Sequence, residues 1–173
     1  MPTAAFIGVG LVLSLIQSNL FRVLSYAHVP GLVPSLVLPL ILFMGVHEYS
    51  LARGAGVAFA LGYLTDLIGI APVGLYTFTF VVMFLLARGA GVRLAAQTTW
   101  MQIVLVLAFT LVHSVIVLML LAVFGRDAYV ARVLYPLILP HVLATGAVSP
   151  SIFKLAQRIH LVTMPKSAGG GAL

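Results

Sequence analysis

The sequence predicts an all-α membrane protein: six transmembrane helices in one bundle, with both termini in the cytoplasm. Three observations carry the prediction. Hydrophobic residues make up 62% of the chain and charged ones only 7%, whereas a soluble surface calls for roughly a quarter charged residues. The mean hydropathy is +1.22, and the apolar residues come in long blocks, a bilayer span taking about 20 in a row. At that length plus a short connection, the 173 residues accommodate about six spans and leave nothing for a separate soluble domain. The expected division is a six-helix transmembrane domain over 1–162 and a flexible cytoplasmic tail over 163–173, the latter ending in Gly169, Gly170 and Gly171.

The first span is expected from about Ala4 to Ser25. No basic residues precede it, so it reads as a retained helix and not a cleaved signal. The second covers about Leu32 to Tyr49 and contains Pro34 and Pro39, each of which would free a carbonyl and kink a helix. The third, about Gly54 to Ile70, is rich in small residues, and the turn Ala71-Pro72-Val73-Gly74 feeds a fourth at about Leu75 to Ala90. The fifth runs from about Gln97 to Phe124, long enough to tilt. The sixth, about Tyr129 to Leu155, holds Pro136, Pro140 and Pro150 and is expected to be bent or broken.

The net charge of +6 could suggest nucleic acid in a soluble protein, but the basic residues stand singly at the ends of apolar blocks. Lys and Arg collect in cytoplasmic loops. With the N-terminus inside, Arg53, Arg88, Arg93, Lys154, Arg158 and Lys166 are cytoplasmic, against Arg22, Arg126 and Arg132 outside. There are no cysteines, which excludes disulfides and thiolate metal sites.

The third span carries the strongest local signal. Gly54, Ala58, Gly62 and Asp66 recur every four residues, a row that drifts only about 40° per step and so shares one helix face. Small residues on a face let two helix backbones approach closely, so this face is expected to pack on protein, not lipid. Asp66 is the acidic residue deep inside an apolar block, which costs about 2.5 to 3.5 kcal/mol on insertion scales unless a partner is found. Residues expected at the same depth are Gln17, Asn19 and Arg22 on the first span and Arg132 on the sixth, and one of these is the expected hydrogen-bond donor. Proton or cation coupling is the alternative role for the carboxylate.

Of the five histidines, no two stand at metal-ligand spacing, and no metal or cofactor site is expected; the buried ones should be hydrogen-bonded within the bundle. The chain has no G-x-S-x-G, phosphate-binding loop or H-E-x-x-H, so hydrolase, nucleotide and zinc-protease chemistry lack their residues. No enzymatic activity is expected.

Gly62-x-x-x-Asp66-Leu67 followed by Pro72-x-Gly74 and another apolar helix resembles the signature of the bacterial MreD family of rod-shape-determining proteins. The proline-containing second span (Pro34 to Pro39) and the Pro150-x-x-Phe-Lys-Leu pattern before a basic tail agree with it. Where the family usually has glycine four residues after the aspartate, this chain has Ile70, with Gly69 one position earlier. The resemblance implies a non-enzymatic component of the cell-elongation machinery in the bacterial inner membrane. Its implied partner is the bitopic protein MreC and, through it, MreB filaments, the RodA glycosyltransferase and a class B penicillin-binding transpeptidase. On this reading Gly54, Ala58, Gly62, Asp66, Pro72, Gly74 and Arg22 are structural or interaction residues. The family is similar in fold to the substrate-binding membrane subunits of energy-coupling-factor vitamin transporters, so a small-solute uptake subunit is the rival function. The outward polar residues, Gln17, Asn19, Arg22, His28, Arg126, Asp127 and Arg132, are few for a solute pocket.

Overall fold

A computed structural model describes residues 3–26, 33–47, 50–69, 72–90, 98–124 and 135–163. Within these residues the chain is a bundle of six α-helices: α1 (Thr3–Tyr26), α2 (Val37–His47), α3 (Leu51–Ile68), α4 (Leu75–Gly89), α5 (Thr99–Phe124) and α6 (Ile138–Thr163), the last preceded by a 3-10 turn at Tyr135–Leu137. Three helical stretches, Leu51–Ile68, Thr99–Val123 and Ile138–Leu161, are long and apolar enough to cross a membrane. Three shorter apolar stretches, Ala4–Leu20, Val37–His47 and Leu75–Gly89, accompany them. The expected tail lies outside the described residues from position 164 onward.

The centre of the bundle is α2. Every residue from Val37 to Val46 is buried, as befits a helix that is apolar all round. Phe43 stacks at 6.4 Å on Phe6 of α1 and meets Phe153 of α6 edge-on at 5.8 Å. Gly45 lets α4 approach: a Cβ there would lie 2.9 Å from the Ala87 Cβ and 3.3 Å from the Phe84 carbonyl oxygen. Around α2, helix α3 packs most extensively on α4, α5 on α6, and α1 on α3. At the α1–α3 contact Gly10 receives the Leu61 side chain, whose Cδ2 sits 2.2 Å from where a Cβ would be. Hydroxyls inside the bundle bond the carbonyl one turn back, as Ser14 does to Gly10 and Thr110 to Val106, the usual way a hydroxyl is satisfied in an apolar helix.

Two expected proline effects need correction. Neither Pro34 nor Pro39 kinks a helix. Pro34 lies in a non-helical stretch, Val33–Leu36, and Pro39 in the first turn of α2, where the missing N–H would have had no helical partner anyway. The last span is later than expected, and α6 continues through Pro150 to Thr163. Pro150 lacks the N–H that would bond the Gly146 carbonyl, and Ser149 Oγ donates to that carbonyl at 2.7 Å instead.

Candidate functional site

The site built by the signature residues is the α3–α4 hairpin. Ser50 caps α3, its Oγ accepting from the Arg53 N–H. Along α3, Gly54, Ala58, Gly62 and Asp66 are all buried, and their face looks onto α4. A Cβ on Gly54 would lie 2.2 Å from Cζ of the Phe84 ring. A Cβ on Gly62 would lie 2.4 Å from Thr77 Cα and 2.8 Å from both Thr77 N and the Tyr76 carbonyl oxygen. The two helices therefore touch backbone to backbone at Gly62, a contact only glycine permits.

Helix α3 ends at Ile68, with the Gly69 N–H bonded to the Thr65 carbonyl at 2.9 Å. The chain re-enters through exposed Pro72 and Val73, and the Leu75 N–H returns to the Pro72 carbonyl at 3.2 Å. Gly74 occupies the third position of this turn with φ 102° and ψ −15°, the left-handed conformation that a type II turn requires there and that glycine adopts without cost. Gly74 is also the N-cap of α4 and brings no side-chain oxygen to cap it.

Asp66 supplies that oxygen from the preceding helix. Its Oδ2 accepts from Gly74 N (2.9 Å), Thr77 N (3.0 Å) and Thr77 Oγ1 (2.6 Å), and its Oδ1 accepts from Tyr76 N (2.9 Å). The first N–H groups of a helix have no partner within the helix, and a carboxylate there also opposes the positive end of the helix dipole. One side chain, 2% exposed, thus closes the hairpin and satisfies the buried start of α4.

These donors are not the ones expected from the sequence. Gln17 Oε1 instead accepts from the Leu36 N–H at 2.9 Å, and Asn19 Nδ2 donates to the Leu15 carbonyl in its own helix. The side chain of Arg22, and Arg132 altogether, lie outside the described residues. The correction has a simple cause: a search by side-chain type overlooks backbone N–H groups, which carry no letter in the sequence. The signal that could have found them was the Pro72-x-Gly74 turn, which starts a helix without a capping side chain.

A second polar cluster holds the non-helical entry to α2. Ser35 N donates to Thr145 Oγ1 at 2.9 Å, Leu36 N to Gln17, and His141 Nδ1 lies 2.6 Å from the Val33 carbonyl. Non-helical backbone is tolerated at membrane depth only where protein satisfies it, and here α1 and α6 do so. His47 Nδ1 reaches the Phe43 carbonyl at 3.0 Å. His113 departs from the expectation for buried histidines: it packs beside Tyr76 and Phe80, and neither ring nitrogen has a hydrogen-bond partner among the described residues. Among those residues no group of three His, Asp or Glu could hold a metal ion.

Compared with known proteins, the chain matches the family model described as rod shape-determining protein MreD over residues 3–159. No curated protein and no solved structure matches it.

Proposed function

The chain belongs to the rod shape-determining MreD family, and from that premise we propose that it is the membrane scaffold through which an MreC-like bitopic protein is held in the cell-elongation machinery. Membership makes it a non-enzymatic, multi-pass protein of the bacterial inner membrane, acting in determination of cell shape. The finer reading is that all six helices span, with both termini cytoplasmic, and that MreC binding supports lateral peptidoglycan synthesis. MreB, RodA and a class B transpeptidase are then reached indirectly.

The observation that carries this reading is the family match over nearly the whole chain, including the Asp66 hairpin. The chemistry agrees with it. A carboxylate that exchanges protons or ions needs access, whereas that of Asp66 is buried and engaged by four donors on one neighbouring helix. A scaffold needs helices held in fixed relation, and a saturated cap between two helices provides that.

Depletion of the protein in its native cell tests the proposal. Rounding and lysis, with an MreC-like protein recovered on the tagged chain, are expected. Normal rod shape together with auxotrophy relieved by a vitamin would overturn it in favour of the solute-uptake reading.

A further inference from the structure

We propose that α1 is a self-association surface, on which a second copy of this chain docks in parallel through a pair of Asn19 side chains. Helix α1 has two dissimilar faces. Phe6, Gly10, Leu13 and Ser14 are buried toward the rest of the bundle. On the opposite side a shallow groove of about 410 Å³ is lined by Val12, Leu15, Ile16, Asn19, Leu20 and Val23.

Three features set this face apart from ordinary lipid-facing surface. Val12, Ile16, Asn19 and Val23 follow one another at spacings of four, three and four, the seam of a left-handed helix pair. Gly8, one turn before Val12 on the same side, is exposed with nothing within 4 Å of a Cβ position, so a second helix can come close there. Asn19 is an amide in the middle of this apolar seam, and it is exposed. One of its N–H groups is spent on the Leu15 carbonyl. Its Oδ1 and second N–H find no partner among the described residues, and lipid tails offer none.

The occupant follows from symmetry. Copies of one protein share one orientation in a membrane, so α1 of a second copy runs parallel and presents its own Asn19 at the same depth. An amide whose second N–H and Oδ1 are unspent among the described residues is complementary to itself across a two-fold axis, as an isologous contact requires. A different helix would need a matching polar group at that depth. Single polar residues on such seams fix register and partner number, and interhelical hydrogen bonds of this kind contribute to association in bilayers.

The absence of cysteine from the chain makes the test clean. Single substitutions V12C, I16C and V23C are introduced into the full chain in native membranes and oxidised with copper phenanthroline. F59C on α3 and V115C on α5, which are equally exposed positions, serve as controls. Covalent dimers of twice the chain mass are expected from the three α1 positions and not from the controls. Adding N19L should lower dimer yield at V12C and V23C by about threefold or more, the change that one ordinary interhelical hydrogen bond makes in an association constant, while N19Q restores it. Four results would overturn the proposal: no dimer from α1, equal dimer from the control positions, cross-linking of α1 only to a protein of different mass, or dimer yield indifferent to N19L.

Discussion

Removing the carboxylate of Asp66 is the most direct test of how this bundle is held together. In Asp66→Ala, the N–H groups of Gly74, Tyr76 and Thr77 and the Thr77 hydroxyl all lose their acceptor. A hydrogen bond to a charged group contributes about 1.5 to 3 kcal/mol, and a buried donor left unpaired costs about 1 to 3 kcal/mol. These terms share one acceptor and do not add fully, so the loss is expected at about 4 to 6 kcal/mol. That is a large part of the whole stability of an ordinary domain. Asp66→Asn is gentler. Its single oxygen can take the place of Oδ2 and keep three of the four bonds, while its amide faces the Tyr76 N–H, donor against donor. The expected cost is about 2 kcal/mol.

Thermal unfolding of the detergent-solubilised protein, followed by fluorescence-detected gel filtration, reads the difference. At about 2 to 4 °C per kcal/mol for a chain of this size, Asp66→Asn should melt about 4 to 8 °C low and Asp66→Ala about 8 to 24 °C low. Thr77→Val removes the 2.6 Å hydroxyl bond alone and should resemble Asp66→Asn. Its effect should vanish in the Asp66→Ala background, because the acceptor is already gone. If Asp66→Asn were as damaging as Asp66→Ala, net charge and not acceptor geometry would be holding the hairpin. If Asp66→Ala melted within about 2 °C of the parent, the cap would contribute nothing.

Gly62→Ala should be the most damaging of the small-face substitutions, costing about 3 kcal/mol or more, because its Cβ meets Thr77 and Tyr76 backbone, which moves only by parting α3 from α4. Gly54→Ala meets a side-chain ring and should cost visibly less in the same melting assay. Gly74→Ala has open space around its Cβ but a φ of 102°, and should cost about 1 to 2 kcal/mol from backbone conformation alone; Gly56→Ala on α3, with space and an ordinary helical setting, serves as the neutral comparison. Thr145→Val strands the Ser35 N–H and should cost about 1 to 3 kcal/mol, with faster amide hydrogen exchange at Ser35 and Leu36 as its local mark. Ser149→Ala leaves the Gly146 carbonyl without its donor beside Pro150 and should cost about 1 to 2 kcal/mol, read as a melting shift that Ser149→Thr does not produce.

What the sequence made legible and what it hid divide along one physical line. Side-chain character was legible: apolar blocks became helices α1 to α6, and the four-residue recurrence of Gly54, Ala58, Gly62 and Asp66 marked a buried face. Helix ends followed the letters where a special residue set them, as Gly74 sets the start of α4 through its positive φ. Backbone donors were hidden. Asp66, Gln17 and Thr145 all accept from main-chain N–H groups, so assigning Asp66 to a cationic or amide side chain at its own depth missed its partners. The prolines were misread for a related reason. Whether a proline kinks a helix depends on its place, as Pro39 shows in the first turn of α2, and whether it ends one depends on its neighbours, as Ser149 shows beside Pro150 where α6 continues; composition records neither.

The short central helix shows how these polar contacts serve the scaffold. At 1.5 Å per residue the 11 residues of α2 rise about 16 Å, only half of a hydrocarbon core of about 30 Å. The four non-helical residues Val33–Leu36 that precede it add at most about 14 Å when extended. Non-helical backbone inside an apolar bundle is stable only if its polar groups are met by protein, and Gln17 from α1 with Thr145 and His141 from α6 meet those of Val33–Leu36. Those residues therefore have a structural use within apolar blocks, at the non-helical entry to α2. Their bonds fasten α1 and α6 to the centre, while Asp66 fastens α3 to α4. The bundle is pinned from inside, which leaves the exposed sides of α1 and α5 for neighbours in the membrane and gives those neighbours a rigid surface to read.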